Sequence, residues 1–483
     1  MATINSNDLR IKNTKNLGEK LKTTSYMFIS KPTVWATGDE TPPTPTNSYQ
    51  EFYRTYDEML SLSLVTADNI HYMIPRVTWT AGVVYDMYRH DYSPGNTAFS
   101  GAKNLYDASF YVINQNNDVY VCLSNDSGTA SSVEPQNTSG TPFNTSDGYQ
   151  WLRVFRLTPD EIFNATTDNY IPASSNELVN DTNGAIHTVI VDTGGSEYTV
   201  NPAGAENQIP YYYCRISGDG TGAVARVTVT ASSITGVEVV RSGSGYSYAN
   251  LDFVRNRVYS SLTNLDNNAN GLDPQGDNAF TSTVIIGPPG GWGSDICRQM
   301  GSTRVGVFTT LEFNETDFFP GTTFRRIGLL KDPTFRISAP STATGCFALK
   351  VTDMGGANDY VVGERISQIV TVNNVSKNAI GTVVGWDSTN GVLRYIQNPE
   401  TSADGDGNTY AFNGERYIVG VTSGKVTQPD IAFSGTLEET SFSFGYSDPE
   451  VNKYSGDMVY LSNISPVLRQ STQSEKVSLI ISY

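Results

Sequence analysis

Short apolar runs, separated by glycine, asparagine and proline, dominate the hydrophobic pattern along this chain. Such runs predict β-strands, and the residues between them favour turns. The segment 26–30 (YMFIS) predicts a strand that ends before Lys31. The segment 109–124 (SFYVINQNNDVYVCLS) predicts a hairpin with residues 116–118 at its turn. The segment 148–157 (GYQWLRVFRL) alternates imperfectly, which predicts a strand in a half-buried sheet.

The segment 48–60 (SYQEFYRTYDEML) carries the clearest helical pattern in the sequence. Ser48 and Glu51 match a capping box, whose N-cap bond contributes about 1 kcal/mol to helix stability. Apolar and aromatic residues recur there at helical spacing and predict one packing face: Tyr49, Phe52, Tyr53, Tyr56, Met59 and Leu60. Helix formers are sparse elsewhere, so the sequence predicts a mainly β protein with few helices.

Two regions look inserted into a larger β core. Residues 176–275 hold short β segments punctuated by glycine, with a weak internal repeat. Residues 346–440 alternate like strands of a small barrel or sandwich. We therefore predict a multi-domain antiparallel β-sandwich core with two inserted small β domains: an N-terminal β-rich core segment (1–175), a Gly-rich β-module (176–275), a core continuation (276–345), a small barrel or sandwich (346–440), and C-terminal core strands (441–483). The last strand should be tied into a sheet, because an apolar chain end would otherwise fray.

The composition narrows the partners that we expect. The formal net charge is −17, which disfavours nucleic acid, because phosphate binding needs clustered lysine and arginine. The densest basic pair, Arg325 and Arg326, is predicted to lie on a solvated strand edge. No apolar run is long enough to cross a membrane, and the first residues lack an apolar signal segment. We therefore expect a protein that is made and folded in the cytoplasm and has no membrane partner.

Neither the cysteines nor the histidines match a known kind of site. The cysteines share no C-x-x-C spacing, which predicts neither a zinc signature nor a disulfide framework: Cys122, Cys214, Cys297 and Cys346. The histidines stand in unrelated contexts that are more typical of packing than of catalysis: His71, His90 and His187. H-E-x-x-H and G-x-S-x-G are absent, so we expect no enzyme, no catalytic residues and no cofactor. A glycosidase with paired carboxylates stays open, since sequence cannot show two acids across a cleft.

A glycine-rich turn at 285–295 (IIGPPGGWGSD) raises the question of a phosphate site. The glycines are followed by Ser294 and Asp295, where a phosphate loop needs lysine and a hydroxyl residue. Pro288 and Pro289 also lack the N–H donors that a phosphate cradle uses. The pattern therefore predicts a rigid structural turn.

Two acidic loops have the spacing of calcium ligands. Asp266, Asn268, Asn270 and Asp277 match EF-hand positions, although the final aspartate is shorter than the usual glutamate. The second loop has matching offsets but no glycine at the required position: Asp404, Asp406, Asn408 and Glu415. Turns rich in asparagine and aspartate produce such matches readily in this composition. We therefore assign no metal, and the first loop remains the calcium candidate.

Several blocks of the sequence resemble, in order, one protein family. They are MIPRVTWTAGVVYDMY at 73–88, DGYQWLRVFRLTPD at 147–160, NYIPAS at 169–174, FRRIGLLKDP at 324–333, and the segment 454–483 that begins YSGDMVYLSN. The family is the dimeric β-sandwich wedge protein of the baseplate of T-even-like contractile-tailed phages. The VYDMYR, FYV…VYVCL and GGxG segments look like the longer versions in myophages of cyanobacteria. The resemblance covers 26–175, 284–335 and 454–483.

This resemblance implies a structural virion protein without catalytic residues. It implies a homodimer that binds other baseplate wedge subunits, assembles in the host cytoplasm and takes part in the switch that triggers sheath contraction. An alternative function is a tail adhesin or decoration protein, because 28 tyrosines and 20 phenylalanines could stack on host polysaccharide. An adhesin should trimerise and bind glycans, whereas a wedge subunit should dimerise and co-purify with wedge proteins without any glycan.

Overall fold

The structure, a computed structural model, describes residues 6–174, 181–198, 211–253, 257–272, 279–312, 317–336, 338–356 and 358–482. Strands account for 42% of the residues and helices for 12%, and many of the sheets are antiparallel. The predicted class, a mainly β multi-domain protein, is therefore confirmed. In the described part of the chain, no helix has the length and apolar character that crossing a bilayer requires.

The helices and strands are numbered in their order along the chain. The α-helices are α1 (Asn7–Leu21), α2 (Tyr49–Asp57), α3 (Leu262–Asp266), α4 (Ile296–Gln299) and α5 (Pro399–Ser402). The strands up to residue 259 are β1 (Ser25–Ser30), β2 (Met59–Val65), β3 (Ile70–Pro75), β4 (Tyr111–Ile113), β5 (Asp118–Asn125), β6 (Phe143–Asn144), β7 (Tyr149–Arg156), β8 (Tyr170–Pro172), β9 (Ile186–Thr193), β10 (Tyr211–Arg215), β11 (Ser217–Gly218), β12 (Val224–Thr230), β13 (Ser233–Arg241), β14 (Ala249–Asn250) and β15 (Val258–Tyr259). The later strands are β16 (Thr281–Ile286), β17 (Arg304–Leu311), β18 (Thr323–Lys331), β19 (Thr342–Thr344), β20 (Phe347–Gly355), β21 (Arg365–Val372), β22 (Val375–Asp387), β23 (Val392–Ile396), β24 (Ile418–Gly420), β25 (Val426–Pro429), β26 (Gly435–Leu437), β27 (Thr440–Phe442), β28 (Tyr446–Ser447), β29 (Asp457–Leu468) and β30 (Glu475–Ser482).

The described residues fall into two compact units. Unit 1 comprises 6–14 and 72–304, and unit 2 comprises 15–71 and 305–482. These divisions differ from the five segments that the sequence analysis proposes. The division into a core and two inserted domains therefore stays a prediction.

The central sheet of unit 2 has the strand order β19-β2-β1-β18-β29. The predicted strand at 26–30 is confirmed as β1, which is buried along its whole length. It pairs on one side with β2 and on the other with β18, both antiparallel. Strands covered on both faces and both edges tolerate continuous apolar runs, which explains the lack of alternation in YMFIS.

The prediction for Arg325 and Arg326 is wrong, because both side chains are buried within this sheet. They are 6% and 3% exposed, and β18 lies between two partner strands. Arg325 donates to both carboxylate oxygens of Asp39 at 2.7 Å and to the carbonyl oxygen of Pro32. Arg326 donates to Asn463 Oδ1 at 2.8 Å, to Thr55 Oγ1 at 2.7 Å and to the carboxylate of Glu51. A buried guanidinium is tolerated when its donors are matched in this way.

The predicted helix is present as α2, but it is shorter than its apolar pattern. Ser48 Oγ accepts a bond from the Glu51 amide at 3.2 Å, which confirms the N-cap. Met59 and Leu60 belong to β2, in which both side chains are buried, so the helix ends before them. Tyr49 is 79% exposed and Tyr53 is 53% exposed, so the predicted packing face is wrong at these positions.

In unit 1, strands β4, β5, β7 and β6 form a four-stranded sheet in that order. The predicted hairpin is confirmed by the antiparallel pairing of β4 and β5, with Asn117 in the left-handed region at the turn. The expectation of a half-buried strand at 148–157 is wrong, because β7 is buried from Trp151 to Phe155. Arg153 reaches inward and donates to Asp118 Oδ1 at 2.7 Å, and both side chains are buried.

A second sheet system of unit 1 is built from the sheet β13-β12-β10-β15 and the antiparallel pair β9 and β16. Their inward side chains share one apolar core, which includes Ile186, Val227, Phe253 and Val284. The backbones of β9 and β13 meet near both ends, through Ile186 N to Ser242 O at 2.9 Å and Ile234 N to Gly194 O at 3.0 Å.

Unit 2 also contains a closed six-stranded barrel, in the order β23-β22-β21-β24-β25-β20. Pairing between β20 and β23 closes it, for example at Phe347 and Tyr395. The chain leaves the barrel beside the strand by which it enters, because Ala348 pairs with Ser447. The barrel is also bonded to the rest of its unit, since Asn398 Nδ2 donates to Glu58 Oε1 at 3.0 Å. The alternating pattern of 346–440 thus corresponds to a barrel whose neighbouring strand β28 lies beyond residue 440.

The end of the chain forms two strands, β29 and β30, and β30 lies beside β17. Val477 and Leu479 of β30 are buried, whereas Lys476 and Ser478 are exposed. This confirms the expectation that the last strand is tied into a sheet.

Replacing Arg326 with methionine should lower the free energy of unfolding by about 3 kcal/mol, because Glu51 would keep a poorly hydrated charge without its partner. Chemical denaturation followed by circular dichroism measures this change. Arg336→Met is the matched control, since Arg336 and Asp448 form a half-exposed pair, and it should cost less than about 1 kcal/mol. An equal decrease in the free energy of unfolding of the two variants would contradict the stabilising role proposed for buried Arg326.

Deleting residues 476–483 should abolish soluble expression, because it removes the buried side chains of β30 and opens the edge of β17. The measurement is the soluble fraction after expression, with circular dichroism of any soluble product. Deleting 482 and 483 alone is the control, since Ser482 is exposed. A soluble, β-rich product from the longer deletion would show that β30 is dispensable.

Candidate functional site

The glycine-rich turn after β16 is held by the chain itself. Gly290 and Gly291 have φ values of 89° and 80°, which favour glycine. The Gly290 amide donates to Asn183 Oδ1 at 2.8 Å, and the Trp292 amide donates to Asp181 Oδ2 at 3.3 Å. A side chain at Gly291 would collide with the carbonyl oxygen of Asp181. These amides already donate hydrogen bonds to protein acceptors. The turn therefore has the geometry of a rigid connection and not of a phosphate cradle.

His187 lies in a network that the sequence analysis did not predict. Its Nε2 is 2.9 Å from Asp181 Oδ2, and its Nδ1 is 3.2 Å from Ser242 Oγ. The residue types are those of a hydrolytic triad, so the space around them decides the chemistry. The cavity beside His187 has a volume of about 10 Å³ and is lined by Tyr88 and Trp292 among others. That volume holds one water molecule at most, so the network ties the chain together and has no room for a substrate.

The other two histidines make packing contacts. His90 Nδ1 is placed to accept a bond from the Ile286 amide at 3.3 Å, and burial lowers the pKa of His90 below its ordinary value. The His71 ring lies edge-on to Phe308, with ring centroids 5.9 Å apart. All four cysteines are free thiols, and burial raises the pKa of Cys346 to about 12. A thiol with that pKa is a weak nucleophile near neutral pH.

The first calcium candidate uses its oxygen atoms for other contacts. Asp266 is the last residue of α3 and accepts two bonds from Arg241, at 2.6 and 2.7 Å. Arg241 also lowers the pKa of the Asp266 carboxyl. Asn268 Oδ1 accepts the hydroxyl of Tyr259 at 2.5 Å. Asp277 lies outside the described residues.

The second acidic loop is a hydrogen-bonded turn with a lysine beside it. Asp404 Oδ1 accepts the amides of Asp406 and Asn408, and Lys377 Nζ donates to Asp406 Oδ2 at 2.8 Å. Glu415 belongs to a separate turn, in which its amide donates to Asn413 Oδ1. Within the described ranges, no three acidic, histidine or cysteine side chains come together as a metal site would require.

A groove in unit 1, with a volume of about 760 Å³, is large enough for a ligand. Parts of β9 and β13 form one wall, including Val191 and Gly236. The segment 87–99 and the loop 124–128 form the other. We call this space the β9–β13 groove.

The loop 124–128 has an unusual backbone. Asp126, Ser127 and Gly128 have φ values of 45°, 58° and 86°, so three consecutive residues lie in the left-handed region. Two of them are not glycine, and such strain persists only where neighbouring bonds enforce it. Tyr149 supplies one of these bonds, because its hydroxyl donates to the carbonyl oxygen of Thr129 at 2.6 Å.

No family model matches this chain, and no similar curated protein is found.

The groove therefore has to be interpreted from its own chemistry. Arg89, a basic residue of the lining, donates to both carboxylate oxygens of Asp91, at 2.9 and 2.7 Å. Asp126 adds a carboxylate to the wall, and Phe99 places a largely exposed ring beside it. No sequence pattern predicts this groove, because Phe99 and Gly236 come from distant segments with no shared motif.

Replacing Gly291 with alanine should lower the free energy of unfolding by about 2 kcal/mol or more, because the backbone is left-handed and the added carbon meets Asp181. Thermal unfolding by calorimetry measures the effect. Gly95→Ala is the control in the same unit, since an added carbon there meets nothing and the backbone is not left-handed. Indistinguishable midpoints for the two variants would contradict the structural role assigned to the turn.

Proposed function

We propose that this protein is a structural subunit of the baseplate wedge of a contractile-tailed bacteriophage, acting as a homodimer that joins neighbouring wedge proteins. One observation carries the proposal: distant blocks of the family resemblance become adjacent strands. The segments 26–30, 324–331 and 457–463 lie in β1, β18 and β29, which are consecutive in one sheet. Such packing is expected if these blocks belong to one shared core.

Unit 1 contains a second example of the same kind. The MIP of 73–75 lies in β3 and the YIP of 170–172 lies in β8, and the two triplets pair residue for residue. Met73 pairs with Pro172, Ile74 with Ile171, and Pro75 with Tyr170. The segments that carry the resemblance therefore contact one another in this fold, in addition to following one another in the same order along the chain.

The mechanical role fits the physical character of both units. Baseplate switching requires bodies that rotate about their interfaces while their interiors stay fixed. Buried ion pairs such as Arg326 with Glu51 and Arg153 with Asp118 lock neighbouring elements together. Such a function depends on surfaces and stiffness and needs no catalytic centre.

Permanent assembly also requires apolar surface, and the barrel supplies it. Ile369 of β21 and Val419 of β24 point away from the barrel core and are exposed, as is Val421 just beyond β24. Obligate interfaces commonly bury about 2,000 to 5,000 Å² and are richer in apolar side chains than ordinary surface. The net charge of −17 further favours protein partners over nucleic acid.

The proposal is tested by measuring the mass of the purified protein in solution. We expect about twice the chain mass of 52.6 kDa, unchanged on dilution to nanomolar concentration. Co-expression with the wedge genes of the same phage should yield a complex that forms without any glycan. A stable monomer, or a trimer that ignores the wedge proteins, would contradict the proposal, and a trimer would favour the adhesin alternative.

A further inference from the structure

We propose that the β9–β13 groove is a binding site for a short, uncharged oligosaccharide. Its volume of about 760 Å³ lies within the range of small-ligand sites, about 300 to 1,000 Å³. All of its lining residues belong to unit 1. The inference goes beyond the proposed function, because sugar binding and wedge assembly are separate properties.

The groove offers an aromatic surface for a sugar ring. Phe99 is 65% exposed, and its ring lies over Gly128, where an added carbon would be only 2.8 Å away. Glycine at 128 therefore lets the ring lie close to the loop. Tyr92 is the second aromatic residue of the lining, and its hydroxyl is fixed by a 2.8 Å bond to the carbonyl oxygen of Met87. Arg89 lies over one face of the Tyr92 ring, with its Cζ 6.0 Å from the ring centroid, so Phe99 supplies the open aromatic face for the apolar C–H face of a sugar.

Hydroxyl groups of a sugar would find polar partners on the same walls. Asn125, Asp126 and Ser127 line one side, and Thr235 lines the other. A carboxylate accepts bonds from hydroxyl donors, and serine and threonine can both donate and accept. The strained backbone at 126 and 127 strengthens the assignment, because such strain concentrates at ligand sites.

Gly236 leaves open space on the β13 side of the groove. It lies at an irregularity in the pairing of β12 with β13, where Thr228 pairs with Gly236 and Val229 pairs with Ile234. Its backbone is not left-handed, and an added side-chain carbon would meet no atom within 4 Å. A side chain at this position would therefore occupy space in the groove that a ligand could fill.

The charges on the walls disfavour anionic ligands. Asp126 would repel an anion, and Arg89 is already neutralised by Asp91. A compact, neutral ligand rich in hydroxyl groups fits these constraints.

The test uses the full-length protein on an array of neutral and acidic oligosaccharides of about three to six rings, with titration calorimetry of each neutral oligosaccharide that binds. We expect binding to neutral members, with affinity reduced at least about tenfold in Phe99→Ala and in Gly236→Val. Phe163→Ala is the matched control, because Phe163 is 80% exposed in unit 1 and does not line the groove. A carbon added at Gly236 meets no atom within 4 Å, so Gly236→Val should fill the groove and unfold no earlier than the wild type.

Each outcome bears on the proposal. Absence of binding across the array, binding only to acidic members, or equal binding by the wild type, Phe99→Ala and Gly236→Val would overturn it. If Phe99→Ala misfolds, the affinity of Gly236→Val decides the test. If Gly236→Val misfolds, the affinity of Phe99→Ala decides it. A lack of sugar binding would not contradict a dimer that assembles with wedge proteins. The two proposals can therefore fail independently.

Discussion

Buried arginines impose the constraint on which the rest of this structure depends. A guanidinium that leaves water needs a carboxylate and fixed acceptors, or its burial costs several kcal/mol. Arg153 meets Asp118 in unit 1, and Arg326 meets Glu51 in unit 2. Arg469, 1% exposed on its side chain, pairs with Glu475 and donates to the carbonyl oxygen of Phe318 at 2.9 Å. A strand that slipped by one residue would turn such an arginine to the other face, so these pairs fix register as well as packing.

The same constraint shapes what the surface can do. The chain has 32 lysines and arginines against 49 aspartates and glutamates. Several of the arginines form ion pairs with buried or partly buried carboxylates. The acidic excess leaves little basis for binding phosphate backbones. It suits contacts with proteins or neutral ligands, in which apolar area and matched hydrogen bonds supply the affinity. The proposed wedge contacts and the proposed sugar groove both belong to that class.

The sequence predicts this fold where local pattern decides the structure and misses it where distant residues decide. The strand at 26–30, the hairpin at 109–124 and the Ser48 cap each follow from a few neighbouring residues, and the structure contains them. The sequence predicts an exposed Arg325, because its charge favours solvent and its partner Asp39 is 286 residues away. The helix α2 ends before Met59 because that residue belongs to strand β2. The groove had no local signal, since each residue that lines it has an ordinary role within its own segment.

The loop at the groove shows how the core supports a site. Left-handed backbone at Asp126 and Ser127 costs about 1 to 3 kcal/mol per residue. Neighbouring bonds offset this cost: Asn125 Nδ2 donates to the carbonyl oxygen of Tyr85 at 2.9 Å, and Tyr149 both bonds Thr129 and stacks on Trp151. These partners are buried aromatic residues of the same core, so the shape of this wall is set before any ligand arrives. A preformed wall avoids the entropy cost of ordering a loop on binding.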